Sequence, residues 1–284
     1  MDEVALSAGP YALALRPAIG GAVSWFAWNG VDVFRRAPTD AGSVLDMGMF
    51  PLAPYANRIK HGRFSFEGRD VQLALNHGDH PHALHGHAWQ RPWKVGEADA
   101  HRAVLSFDYS PGDWPWAYAC EQRVELDATG ALFTLTLRNA SDTPMPASFG
   151  FHPYFPRRRH TQLTASISTM WAIDKTIMPT HTAAPILNLT QGAPLADAPF
   201  VDHCFTGWDH QASMRSEPAI ITMTASDVFG CFHVYVPPDD DYFCAEPVSA
   251  MPDAVNRRDV EGNGLRILAP GEAISGWMRI SVHS

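Results

Sequence analysis

The chain has 284 residues, 46% of them apolar and 18% charged, with a formal net charge of −9. That is ordinary globular usage and excludes a disordered, collagen-like or coiled-coil chain; the length suits one large domain or two small ones. No stretch reaches the ~18 uninterrupted apolar residues of a membrane span, and 30 acidic against 21 basic residues disfavour a nucleic-acid partner, whose phosphates demand clustered positive charge.

Along the chain, strand patterns dominate. Arg63-Phe-Ser-Phe66 and Val71-Gln-Leu-Ala-Leu75 flank Glu67-Gly68-Arg69-Asp70 and predict a hairpin. Cys120-Glu-Gln-Arg-Val-Glu-Leu126 and Ala131-Leu-Phe-Thr-Leu-Thr-Leu-Arg138 predict a second one across Asp-Ala-Thr-Gly. The two-residue period continues through Ile220–Thr224, Cys231–Val236 and Gly276–Val282. No segment of 11–18 residues holds a 3.6-residue period. The 23 prolines and 21 glycines are spread throughout, with no linker, repeat or low-complexity segment between two halves. These features predict an all-β architecture, sandwich or barrel, with residues 1–284 as a single domain. The cysteines, Cys120, Cys204, Cys231 and Cys244, form no CxxC pair, which argues against a disulfide scaffold or zinc ribbon. They read as buried small hydrophobes. Asp2 and Glu3, without a basic n-region, do not read as a secretory signal. A cytoplasmic location and a small neutral partner are expected.

Five segments could carry chemistry. In His77-Gly-Asp-His80-Pro-His82-Ala-Leu-His85-Gly-His87, five of the 14 histidines fall within eleven residues. Imidazole is a common metal ligand, and a His-x-His pair in a β protein suggests a cupin-type centre using His80, His85 and His87. The glutamate such a centre needs a few residues on is missing, since the next is Glu97. The alternatives are a polar loop facing water, or one or two histidines donating hydrogen bonds in a cleft. Phe149-Gly-Phe-His152-Pro-Tyr-Phe-Pro156 holds a histidine in a rigid apolar setting, either as a packed core residue or as a proton donor near neutral pH. Cys244-Ala-Glu246-Pro-Val places a glutamate where burial demands a partner or a function. Pro54-Tyr-Ala-Asn57-Arg58-Ile59 and Val201-Asp202-His-Cys-Phe205 each set polar side chains in an apolar stretch.

The order and company of these motifs, Asn57-Arg58-Ile59, Leu84-His85-Gly86 with Trp93, His152-Pro-Tyr-Phe, Asp202 and Glu246-Pro, resemble the aldose 1-epimerase (galactose mutarotase) family. The resemblance spans about residues 51 to 256 and looks closest to a little-characterised bacterial branch. It implies a large antiparallel β-sandwich. It also implies Glu246 as the base at the sugar C1 hydroxyl and His152 as the acid at the ring oxygen; the acid–base chemistry itself suggests the two on opposite sides of the sugar. Arg58, His85 and Asp202 would hold the sugar, with Asn57 supporting Arg58. His233 stands where the family often has a glutamine, and Ala147-Ser-Phe-Gly-Phe stands where galactose mutarotases commonly read Asn-Leu-Thr, which bears on the choice of sugar.

The chemistry fits those residue types. Anomerisation removes one proton and delivers another, without redox change, metal or other cofactor, and positioned acid–base groups contribute about 10²–10⁴-fold each. An ionised Glu246 beside a protonated His152 would stabilise each other by attraction. Trp89, Trp93, Trp208 and Phe243 could supply a sugar platform or core packing. The expected activity is therefore mutarotation of a free monosaccharide. The alternatives are a sugar-binding protein without turnover and, because of Arg157-Arg-Arg159, a hexose-6-phosphate mutarotase. As a solvated turn, that arginine run would carry no such meaning. Neither the preferred sugar nor the oligomeric state follows from these residues.

Overall fold

The computed structural model describes residues 3–284. Among them no α-helix forms; two large antiparallel sheets carry the chain, with short 3₁₀ turns in the connections. One sheet has eleven strands and the other nine. No helix among the described residues is long and apolar enough to cross a membrane.

The predicted hairpins form with shifted edges. Arg63–Phe66 pairs with Arg69–Gln72, so the second strand starts two residues before the predicted Val71 and the turn shrinks to Glu67-Gly68. Both turn residues take positive φ, which lets a two-residue loop match the strand twist. Tyr118–Asp127 pairs with Gly130–Asn139 in the nine-stranded sheet, whose next member is Ala273–His283.

The eleven-stranded sheet fixes the positions of interest. Its middle runs Met49–Leu52, Gly150–Pro156, Tyr242–Val248, Cys231–Val236, Val201–Thr206. On these strands successive side chains point to opposite faces. Phe151, Phe155, Phe243, Ala245, Phe232, Val234 and Phe205 join Phe133, Leu135 and Ile280 of the other sheet in the main apolar core. The alternate residues, including Phe50, Tyr154, Cys244 and Cys204, pack in a second cluster on the outer face. Strands buried on both faces carry near-continuous apolar runs, which is why polar residues stand out in these segments.

Candidate active site

Register builds the site in rows. His152 pairs with Phe50, and lies between the paired positions Gly150–Val248 and Tyr154–Cys244, which sets it opposite Glu246. Glu246 in turn pairs with His233, and His233 with Cys204. One row across five strands thus reads Phe50, His152, Glu246, His233, Cys204. Two residues along, on the same face, Tyr154, Cys244, Tyr235 and Asp202 form the next row. From these rows His152, Glu246, His233, Tyr154, Tyr235 and Asp202 floor a cavity of about 330 Å³, which Asn57, Arg58, His85 and Trp89 help to line from the connecting segments.

Every site residue expected from the sequence lines this cavity: Glu246, His152, Arg58, His85, Asp202, Asn57 and His233. All seven are buried. His152 Nε2 lies 3.4 Å from Glu246 Oε1. The two groups therefore stand side by side on neighbouring strands, and not on opposite sides of the space between them as expected. The reason is their register, which makes them direct cross-strand neighbours.

Burial acts on the charge of both groups. Burial, reinforced by the Asp202 carboxylate and opposed by Arg58, pushes the Glu246 carboxyl well above its ordinary range. Burial, with His233 nearby, holds the His152 imidazole down to about 3. Desolvation penalises the charged form of each, so burial works against the carboxylate–imidazolium form of the pair. Glu246 Oε2 and His152 Nδ1 have no protein hydrogen-bond partner.

Beside this pair is a buried polar network. Arg58 donates from Nη1 to Asp202 Oδ1 at 3.0 Å and from Nη2 to Asp202 Oδ2 at 2.7 Å. This two-pronged match of guanidinium and carboxylate holds the Asp202 carboxyl far below its usual range against the opposing effect of burial. Asn57 Oδ1 accepts from the Arg58 backbone N–H and from Nη1, and His233 Nε2 stands 2.9 Å from Asp202 Oδ1. Asn57 and His85 are locked to each other: His85 N–H donates to the Asn57 carbonyl at 2.8 Å and Asn57 N–H to His85 Nδ1 at 3.2 Å. Both residues sit at positive φ, a sparsely used conformation that gathers at functional sites.

None of the five histidines from His77 to His87 is exposed, which overturns the reading of a polar loop facing water. Three of them instead bond residues elsewhere in the chain. His80 Nε2 accepts from Arg58 Nε at 3.3 Å, His82 Nδ1 accepts from the His61 N–H at 3.0 Å, and His87 Nε2 meets Asp113 at 2.9 Å. His77 and His80 line the cavity together with His85. Burial lowers the affinity of His77, His80, His82, His85 and His87 for a proton. The group whose ligand atoms gather within 4.8 Å is elsewhere: His152, Cys244 and Glu246. Burial pushes the Cys244 thiol up.

Of the aromatic candidates only Trp89 lines the cavity; Trp93, Trp208 and Phe243 are core residues. The aromatic wall consists of Tyr154, Tyr235, Tyr242 and Phe200. Tyr154 and Tyr235 each lie two residues beyond a site histidine on the same strand, so the alternating period could have found them. Tyr242 and Phe200 carried no such signal. In the arginine run, Arg157 donates to the carbonyls of Pro237 and Pro238 and Arg158 to Ser216. Two of its three members are thus tied down, and none lines the cavity.

The fold is a large antiparallel β-sandwich whose outer face carries a paired carboxyl and imidazole in a cavity of about 330 Å³. Comparison with known sequences is specific: residues 2–281 match the family described as Aldose 1-epimerase, and the chain belongs to it. The uncharacterised protein YphB of Escherichia coli K12 is 30% identical over 275 residues, covering 93% of both chains. A crystal structure of a putative aldose 1-epimerase from Escherichia coli K12 superposes with a TM-score of 0.90 at 29% identity over 99% of each chain. Galactose 1-epimerase from Lactobacillus acidophilus shares the fold, with a TM-score of 0.79 at 15% identity over 99% of this chain and 94% of that one.

Proposed function

We propose that the chain acts as a single domain and catalyses mutarotation of a free, uncharged aldose, with Glu246 and His152 as the proton-transfer pair. The observation that carries this reading is the 3.4 Å approach of His152 Nε2 to Glu246 Oε1 at the floor of a buried cavity. Ring opening takes the proton from the C1 hydroxyl and delivers one to the ring oxygen. Both oxygens are bonded to C1, so neighbouring groups can serve them without spanning the sugar.

Glu246 takes the hydroxyl proton as the C1 carbonyl forms, His152 protonates the ring oxygen, and the C1–O5 bond breaks. Rotation about C1–C2 presents the other face of the aldehyde, and closure reverses both transfers. The neutral pair, which burial favours, and the carboxylate–imidazolium pair hold the same number of protons. Moving one proton from Glu246 to His152 therefore prepares the reactive form. Sugar hydroxyls donating to the unpartnered Glu246 Oε2 favour that shift. Arg58, Asp202, His85, Asn57 and His233 hold the remaining hydroxyls.

A neutral substrate is supported by the charges. Arg58 is the only lysine or arginine lining the cavity among the described residues, and Asp202 already occupies two prongs of its guanidinium. A phosphate entering here would meet no uncompensated cation. The free buried cysteines suit a reducing compartment, and a cytoplasmic location goes with this reading.

Polarimetry on freshly dissolved α-glucose and α-galactose tests the assignment. Glu246→Gln should retain the fold and lose the catalysed rate by at least about 10²-fold, with chelators leaving the wild type unaffected. A variant as fast as the wild type removes Glu246 from the chemistry.

A further inference from the structure

Ile177 stands in the left-handed region, at φ 63°, and lines the cavity. Among the described residues at positive φ that are not glycine, it is the only β-branched one; the others are asparagines, histidines, a glutamate and an aspartate. A branched side chain is strained there, whereas glycine or asparagine would make the same turn freely.

The backbone around it is fixed by its neighbours. Asp174 Oδ1 accepts from the N–H of Thr176 at 2.7 Å and of Met178 at 3.2 Å, and the Ile177 N–H donates to the Asp174 carbonyl at 3.0 Å. From the other side, fully buried His82 sets Nε2 3.1 Å from the Thr176 carbonyl. The His61 N–H donates to His82 Nδ1, so Nε2 carries the proton and donates it to Thr176. None of these bonds uses the Ile177 side chain. What its presence adds to the turn is an apolar surface facing the cavity, held in place by the histidine-rich segment.

We propose that Ile177 is a specificity-determining residue, a rigid apolar wall against the C–H surface of the bound sugar. This rests on the sugar-binding reading above. Strain of this kind persists where the surrounding structure imposes it, and such positions gather at ligand clamps.

The test compares wild type with Ile177→Gly and Ile177→Asn, both of which suit the left-handed backbone, and with Ile177→Val, which keeps a branched wall. Thermal melts establish that each is folded. Glucose mutarotation gives KM and kcat, and calorimetry gives the Kd of 1,5-anhydroglucitol, a glucose analogue that cannot open. The expected result is a rise of about tenfold in KM and Kd for the glycine and asparagine variants, with kcat nearly unchanged and the valine variant close to wild type. A folded glycine or asparagine variant with wild-type KM and Kd overturns the proposal. If wild type binds the analogue but turns over neither glucose nor galactose, the catalytic reading fails and Kd alone decides the wall. If wild type neither binds the analogue nor turns over glucose or galactose, both fall.

Discussion

Glu246 shows what a buried acid asks of the fold. The residue is 1% exposed, one carboxyl oxygen lacks a protein partner, and burial raises its affinity for a proton. The folded state then holds a proton that the unfolded chain releases near the ordinary glutamate pKa of 4.5. Wherever the native state binds more protons than the unfolded one, stability falls as pH rises. Glu246 therefore contributes stability below about 4.5 and withdraws it progressively above. Glutamine has no proton to lose, so Glu246→Gln should melt higher than wild type at neutral pH, with the gap closing on acidification toward pH ~4. Thermal melts of the two proteins across that range measure it, and a constant gap would mean that the carboxyl is not held neutral. His152 acts in the opposite direction: held down to about 3, it withdraws stability as pH falls below 6.5. The stability cost of both groups sits in the pair proposed to carry the chemistry, a trade-off common at active sites.

Among the elements, the connecting segments are as important as the strands. The Leu84-His85-Gly86 turn delivers His85 to the cavity, and Gly86 permits it: a Cβ there would lie 2.1 Å from the Ala53 carbonyl oxygen, at a φ of 71°. The Gly86 carbonyl also accepts from Trp89 Nε1 and Asn76 Nδ2. Gly86→Ala should cost at least about 2 kcal/mol and displace His85, lowering both the denaturation midpoint and the proposed mutarotase activity; a variant matching wild type in both would show that the turn relaxes freely. The strands themselves were legible. Period-two runs such as Ala131–Arg138 and Cys231–Val236 announced sheets. Polar residues set in apolar stretches made Glu246, His152 and Asp202 candidates, while their roles, and His233 altogether, came from the family resemblance. The relation between them was not legible, because register is a long-range property. Nothing local sets residue 152 opposite residue 246 or reveals that the two stand side by side. The histidine-rich segment misled for a related reason. Its polarity suggested a surface, but its partners, residues 58, 61, 113 and 176, lie elsewhere in the chain.

For the whole molecule, the site depends on a core it does not touch. The inner faces of the two sheets meet around Phe133, which is fully buried with its ring 5.8 Å from Phe34, 6.3 Å from Phe26 and 6.5 Å from Phe151. Phe151 precedes His152 and points to the opposite face, so the strand that presents the imidazole outward is seated inward on this aromatic cluster. The nine-stranded sheet supports the site without contributing a residue to the cavity lining. Stability and chemistry should therefore separate. Phe133→Ala removes a ring from a closed core and should cost about 3–5 kcal/mol, read as a shift of the urea midpoint. In conditions where the variant remains folded, kcat and KM should stay close to wild type, because the rows of site residues are fixed by register within the other sheet. A fall in kcat of the fully folded variant would instead mean that inter-sheet packing sets the distance between His152 and Glu246. The main core would then be part of the catalytic geometry.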